Sequence, residues 1–107
     1  MAKTCKEYFD KMPGTYQKEV GAKLNCLYQF DLAGDGGGMF FVQIKNGELT
    51  VGEGQKPDPD VTLVAAAKDY VDIAEGRLSE MLALATGRFK IKGNMLLAMK
   101  LSKLFKR

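Results

Sequence analysis

The sequence predicts an α+β domain with a five-stranded sheet and helices packed over one face, and two observations carry that prediction. The apolar period changes from helical to alternating near Leu24, returns to helical near Asp69, and alternates once more over Phe89–Lys92. The elements therefore run helix, strands, helices, strand, helix, an order that suits a sheet with helices on one side. A chain of 107 residues, 46% hydrophobic and 27% charged, has material for one core and not for two, so residues 1–107 are read as a single domain.

Tyr8, Phe9, Met12 and Tyr16 recur at roughly helical spacing around Pro13-Gly14, which predicts a helix, a break, and a second helix reaching about Lys23. Cys26, Tyr28, Phe30 and Leu32 then alternate with polar Asn25, Gln29 and Asp31, the mark of a strand with one buried face. Two further strands lie in "MFFVQIKNGELTV", joined at Asn46-Gly47, a strong hairpin signal. The prolines and charges of "GEGQKPDPD" predict a surface connection to a fourth strand, "VTLVAAA". Asp69 with Asp72 resembles a capping box for a short helix that stops at Gly76, and Ser79 is placed to cap the next, which ends at Gly87. Phe89 and Ile91 alternate with Lys90 and Lys92 as the fifth strand, and Gly93-Asn94 turns the chain into the last helix.

Composition removes several classes of chemistry. There is no histidine, and Cys5 and Cys26 form no CxxC pair, so the common zinc spacings and cysteine–histidine catalysis are absent. Cys26 shares a strand face with Tyr28 and Phe30 and is expected to be a buried packing residue; Cys5, near a helix start, is expected to be exposed. The glycines of "GDGGG" lead into a strand, whereas a phosphate cradle opens onto a helix, so they are read as a flexible connection. Asp58 and Asp60 supply too few oxygens for a hard cation and are read as turn residues. No metal, cofactor or catalytic residue is therefore assigned. The charged N-terminal stretch lacks the apolar core of a signal peptide, and no run approaches a membrane span, so a soluble cytoplasmic protein is expected.

The last helix is the most informative element. On a 3.6-residue period Leu97, Ala98, Leu101, Leu104 and Phe105 form one stripe, with Lys100, Lys103 and Arg107 opposite. Met95, Leu96 and Met99 fall outside that stripe, where a solvated helix carries polar residues. Either a neighbouring helix covers them or a ligand does; methionine, unbranched and polarisable, suits ligands of variable shape, and Met81 on the preceding helix adds another. Lys100, Lys103, Lys106 and Arg107 make the end of the chain locally basic, as a complement to the helix dipole or as a contact for an anionic surface.

The stretch "GRFKIKGNMLLAMKLSKLF" resembles the sterol carrier protein-2 family, whose signature is a strand ending in Gly-Asn followed by a helix of the type seen here over Met95–Leu101. The likeness extends back through "GRLSEMLALATG", Pro59–Leu63 and "KNGELTV". It implies a largely antiparallel five-stranded sheet and helices enclosing an apolar tunnel for fatty acids, acyl-CoA, phospholipids or sterols, with no catalytic residues. By that resemblance Phe30, Val42 and Ile44 from the sheet, Met81, Leu82, Phe89 and Ile91 from the middle, and Met95, Leu96 and Met99 from the last helix are tunnel-wall candidates. The expected partners are a long-chain lipid and, through Lys100, Lys103, Lys106 and Arg107, a transient anionic membrane surface. Ser102-Lys103-Leu104, followed here by Phe105-Lys106-Arg107, is not expected to serve as a peroxisomal signal. Two rivals stand beside the carrier: a small basic nucleic-acid module, disfavoured because the cations sit among leucine and methionine instead of exposed aromatics, and an accessory domain of an acyl-CoA or thioester enzyme using Cys26.

Overall fold

The computed structural model describes residues 4–105, apart from the side chain of Ser102. The elements are α1 (Cys5–Thr15), α2 (Lys18–Gly21), β1 (Cys26–Ala33), β2 (Gly38–Lys45), β3 (Glu48–Glu53), β4 (Val61–Ala66), α3 (Ala67–Ala74), α4 (Glu80–Ala85), β5 (Phe89–Gly93) and α5 (Met95–Leu104). The strands form one sheet in the order β3-β2-β1-β4-β5. Pairing is antiparallel except between β1 and β4, which run parallel. The sheet is thus mixed and mostly antiparallel.

Register places the apolar residues on one face. Phe30 pairs with Phe40 on β2 and Leu63 on β4, Tyr28 with Val42 and Val61, and Leu63 in turn with Ile91 on β5. All of them except Ile91 are buried, and the helices lie over this face. The ring of Phe9 on α1 stacks on Phe40 at 4.5 Å, meets Phe30 edge-on at 4.9 Å and stacks on Tyr70 of α3 at 5.3 Å. Such ring pairs contribute ~0.5–1.5 kcal/mol each beyond the area they bury. At the β2–β3 turn Asn46 and Gly47 have φ of 53° and 81°, the left-handed pair that a two-residue hairpin needs.

The opposite face is partly covered by the connection after β3. Gln29, expected to face solvent, is buried there: its amide donates to the carbonyls of Phe40 (2.9 Å) and Gly54 (3.0 Å), and its Oε1 accepts from the Lys56 N–H (2.8 Å). A buried amide with donors and acceptor all engaged fixes the path of that connection instead of destabilising it. The Lys56 ammonium lies 4.7 Å from the centre of the Phe41 ring on the same face.

Three local expectations are corrected. α1 continues through Pro13 and Gly14 to Thr15, and α2 is a single turn ending at Gly21. Cys5 is fully buried, not exposed. Its N–H donates to the Gly36 carbonyl at 2.9 Å and its thiol points at the Ala67 carbonyl at 3.7 Å, so the glycine-rich β1–β2 connection and the β4–α3 junction close over it. The Asp69–Asp72 capping box does not form, because α3 starts directly from β4 with Ala66 at its N-cap; Asp69 lies in the first turn and Asp72 pairs with Arg77 at 3.0 Å.

Candidate functional site

The consecutive elements α4, β5 and α5 build the site. Ser79 accepts the Leu82 N–H at 3.4 Å, opening α4, and the chain leaves that helix through Gly87 at φ 77°. β5 is an edge strand, paired to β4 alone. At its end Gly93 adopts φ 102° and approaches the Asp60 carbonyl so closely that a Cβ there would lie 2.4 Å from it. The Asn94 N–H donates to that same carbonyl at 2.9 Å, while the Asn94 side chain accepts the Leu97 N–H at 3.1 Å and caps α5. Asp60 works on both sides, its carboxylate accepting the Leu27 N–H of β1 at 2.8 Å, so this residue of "PDPD" is a structural tie.

α5 is held over the sheet at three points. The Tyr28 hydroxyl, rising from β1, donates to the Leu97 carbonyl at 2.6 Å. The Gln17 N–H donates to the Leu104 carbonyl at 2.7 Å, and Tyr16 forms a one-residue β-bridge with Phe105, their rings 5.7 Å apart. Along the predicted stripe Ala98 and Leu104 are buried and Leu97, Leu101 and Phe105 half-buried.

The residues outside the stripe are left uncovered. Met95 is 52% exposed, Leu96 74% and Met99 66%, and on α4 Met81 is 76% and Leu82 55% exposed. Among the described residues, then, no neighbouring helix buries them. The other candidates lie beneath: Phe89 is buried and Ile91 half-buried on β5, while Phe30, Val42 and Ile44 are at most 1% exposed, packed in the core below the helices. The structure thus divides these candidates into an exposed group on α4 and α5 and a group on the sheet that is buried except for half-buried Ile91. Lys100 and Lys103 are exposed on α5; Lys106 and Arg107 lie outside the described residues.

Both thiols are poor nucleophiles here. Burial pushes Cys5 up to about 11, against a weaker opposing effect of its backbone hydrogen bond, and burial likewise raises Cys26, with Tyr28 as its hydrogen-bonding neighbour. A cleft of about 140 Å³ that sequence reading gave no hint of lies elsewhere, between α1 and the β2–β3 edge, lined by Lys6, Phe9, Asp10, Pro13, Phe40, Val51, Gly52 and Glu53. It is formed by contacts distant in sequence, and it is smaller than the ~300 Å³ at which ligand pockets begin.

A five-stranded mixed sheet of this order, with the described helices on one face and an apolar helical surface left uncovered, defines the class of the protein as α+β. The profile of the SCP-2 sterol transfer family matches residues 6–106, and the chain belongs to that family. It is similar to hydroxysteroid dehydrogenase-like protein 2 of Rattus norvegicus, 37% identical over 99 residues, which are 92% of this chain and 19% of the rat protein. The chain therefore spans about a fifth of the length of that relative. Among solved structures it is similar to the sterol carrier protein domain 2 of Helicoverpa armigera, with 30% identity, a TM-score of 0.72 and coverage of 92% of this chain and 82% of the other. The fold is shared with palmitated SCP2L2 from Aedes aegypti at 22% identity and a TM-score of 0.74, covering 97% and 96% of the two chains.

Proposed function

We propose that this chain is a non-catalytic carrier of long-chain acyl lipids, with the acyl chain lying along the uncovered apolar side chains of α4 and α5 and reaching inward past β5 toward the sheet. The observation that carries this reading is the group of five large apolar side chains, Met81, Leu82, Met95, Leu96 and Met99, between 52% and 76% exposed beside a closed core. Membership of a lipid-transfer family supports it, as does the palmitated relative of the same fold. The chemistry agrees: burying methylenes yields ~0.8 kcal/mol each, so about fifteen contribute roughly 12 kcal/mol, and after a cost of about 4 kcal/mol for lost freedom roughly 8 kcal/mol remains, an affinity of about micromolar order with no polar anchor.

In this reading the acyl chain displaces part of α5 from β4 and β5 and reaches Phe89 and Ile91 first, then the buried Phe30, Val42 and Ile44. α5 is suited to such a movement because much of its own apolar surface is not committed to the core, while its end stays tied through Leu104 and Phe105. The two thiols, protonated and buried, support a carrier without a covalent step. Native mass spectrometry of freshly purified protein, followed by titration with a fluorescent long-chain fatty acid, tests the proposal. The expected result is a single bound lipid per chain and a saturable one-to-one isotherm. An isotherm without saturation at every chain length tried would refute the reading.

A further inference from the structure

Charge is distributed very unevenly along this chain. Residues 81–107 hold seven Lys and Arg and no Asp or Glu, whereas residues 1–80 hold nine Lys and Arg against thirteen Asp and Glu. The cationic segment is the one that carries the uncovered apolar side chains. α4 and α5 both pack against β5, the edge of the sheet, and Arg88, Lys90 and Lys92 in and just before that strand are exposed. Lys90 and Lys92 stand opposite Val64 and Thr62 on the face away from the helices, and Lys100 and Lys103 are exposed on α5. Asp60, whose carbonyl lies against Gly93, has its carboxylate engaged by the Leu27 N–H at 2.8 Å.

From this juxtaposition we infer that the β5 edge is a docking face for an anionic lipid bilayer. Met81, Leu82, Met95, Leu96 and Met99 enter the boundary between headgroups and acyl chains, and cations on both sides of the edge meet the lipid phosphates. Three features favour a bilayer over other anionic partners. The apolar side chains are flexible and unbranched at Cβ, matching a fluid surface; none is an aromatic on which a base stacks; and a second copy of the same face would bring like charges together. The inference rests on the carrier reading for its purpose, since docking through this face puts the acyl site against the membrane it loads from. Docking itself is measured without a ligand.

The test uses the full chain and vesicles of phosphatidylcholine, with or without phosphatidylserine. Co-sedimentation is expected with the anionic vesicles and not with the neutral ones, and it is lost at high salt. Arg88→Gln/Lys90→Gln/Lys92→Gln, changed only at exposed positions, is expected to bind anionic vesicles about tenfold more weakly than the wild type. Lys100→Gln/Lys103→Gln, which leaves the sheet untouched, lowers binding in the same direction. The chain has no tryptophan, so Leu96→Trp supplies a reporter whose emission shifts to the blue on anionic vesicles and stays unshifted with polyglutamate. Wild-type affinity in both Gln variants, equal binding to neutral vesicles, an unshifted Trp on bound vesicles, or polyglutamate binding as tight as the bilayer would each overturn the inference. Titrating the wild type with fatty acid in the absence of vesicles separates the two readings: saturable fatty-acid binding without sedimentation on anionic vesicles is a failure of the docking inference alone, and sedimentation without fatty-acid binding is a failure of the acyl site.

Discussion

At the level of single residues the two cysteines show how far local pattern reaches. Cys26 belongs to an alternating strand, and its burial was readable from Tyr28 and Phe30 beside it. Cys5 has no such pattern; it is buried because Gly36, thirty-one positions away, turns a carbonyl to its N–H and because β4 delivers Ala67 to its thiol. The consequence is measurable. A thiol-specific reagent should leave both cysteines unmodified in the native protein and react with both in denaturant; fast native labelling of Cys5 would contradict the closed junction. The raised value of Cys5 also ties stability to alkaline pH. The folded thiol keeps its proton to about 11 whereas the unfolded one loses it near 9.0, so the unfolded state binds fewer protons between those values and stability falls as pH rises through that window. The expected loss from this thiol is about 2–3 kcal/mol, read as a falling guanidinium midpoint, and Cys5→Ala should lessen the dependence over the same range while the part due to Cys26, raised in the same direction, remains.

At the level of elements, β1 to β5 and the last helix were legible because period and turn residues act locally. Asn46-Gly47 took the left-handed conformations that a hairpin demands, and Ser79 and Asn94 cap the helices they precede. What was not legible depended on partners remote in sequence: the parallel pairing of β1 with β4, the start of α3 directly from β4, and the passage of α1 through Pro13. Proline so close to the end of a helix forfeits a single hydrogen bond there, which packing of Phe9 on three rings readily offsets. α5 offers the sharper test because its attachments are few and defined. Asn94→Ala should lower stability by ~1 kcal/mol through loss of the cap on the Leu97 N–H. Tyr28→Phe should cost a similar ~1 kcal/mol by removing the bond to the Leu97 carbonyl. In both variants hydrogen exchange should accelerate in α5 while β1 and β2 stay protected; uniform acceleration throughout the sheet would mean that α5 is an inseparable part of the core.

For the molecule as a whole, the sequence made the surplus of apolar surface visible but not its disposition. Periodicity placed Met95, Leu96 and Met99 outside the packed stripe, with Met81 of the preceding helix beside them, and the fold adds that Leu82 of α4 shares the uncovered surface while Phe30, Val42 and Ile44 are sealed in the core. A closed sheet face and open helices are what a carrier needs if it is to stay folded when empty and to admit a chain without breaking its core. Met99, at 66% exposure, is the most direct handle on that idea, because a charge placed there meets solvent in the empty protein and an acyl chain in the loaded one. The decisive measurement is equilibrium titration of a fluorescent long-chain fatty acid into wild type and Met99→Asp, with circular dichroism to establish that both are folded. A carrier using the α4–α5 layer gives a folded variant that binds at least about tenfold more weakly than the one-to-one wild type, the cost of leaving a carboxylate against an alkyl chain. Equal affinity in a folded Met99→Asp protein would contradict the account.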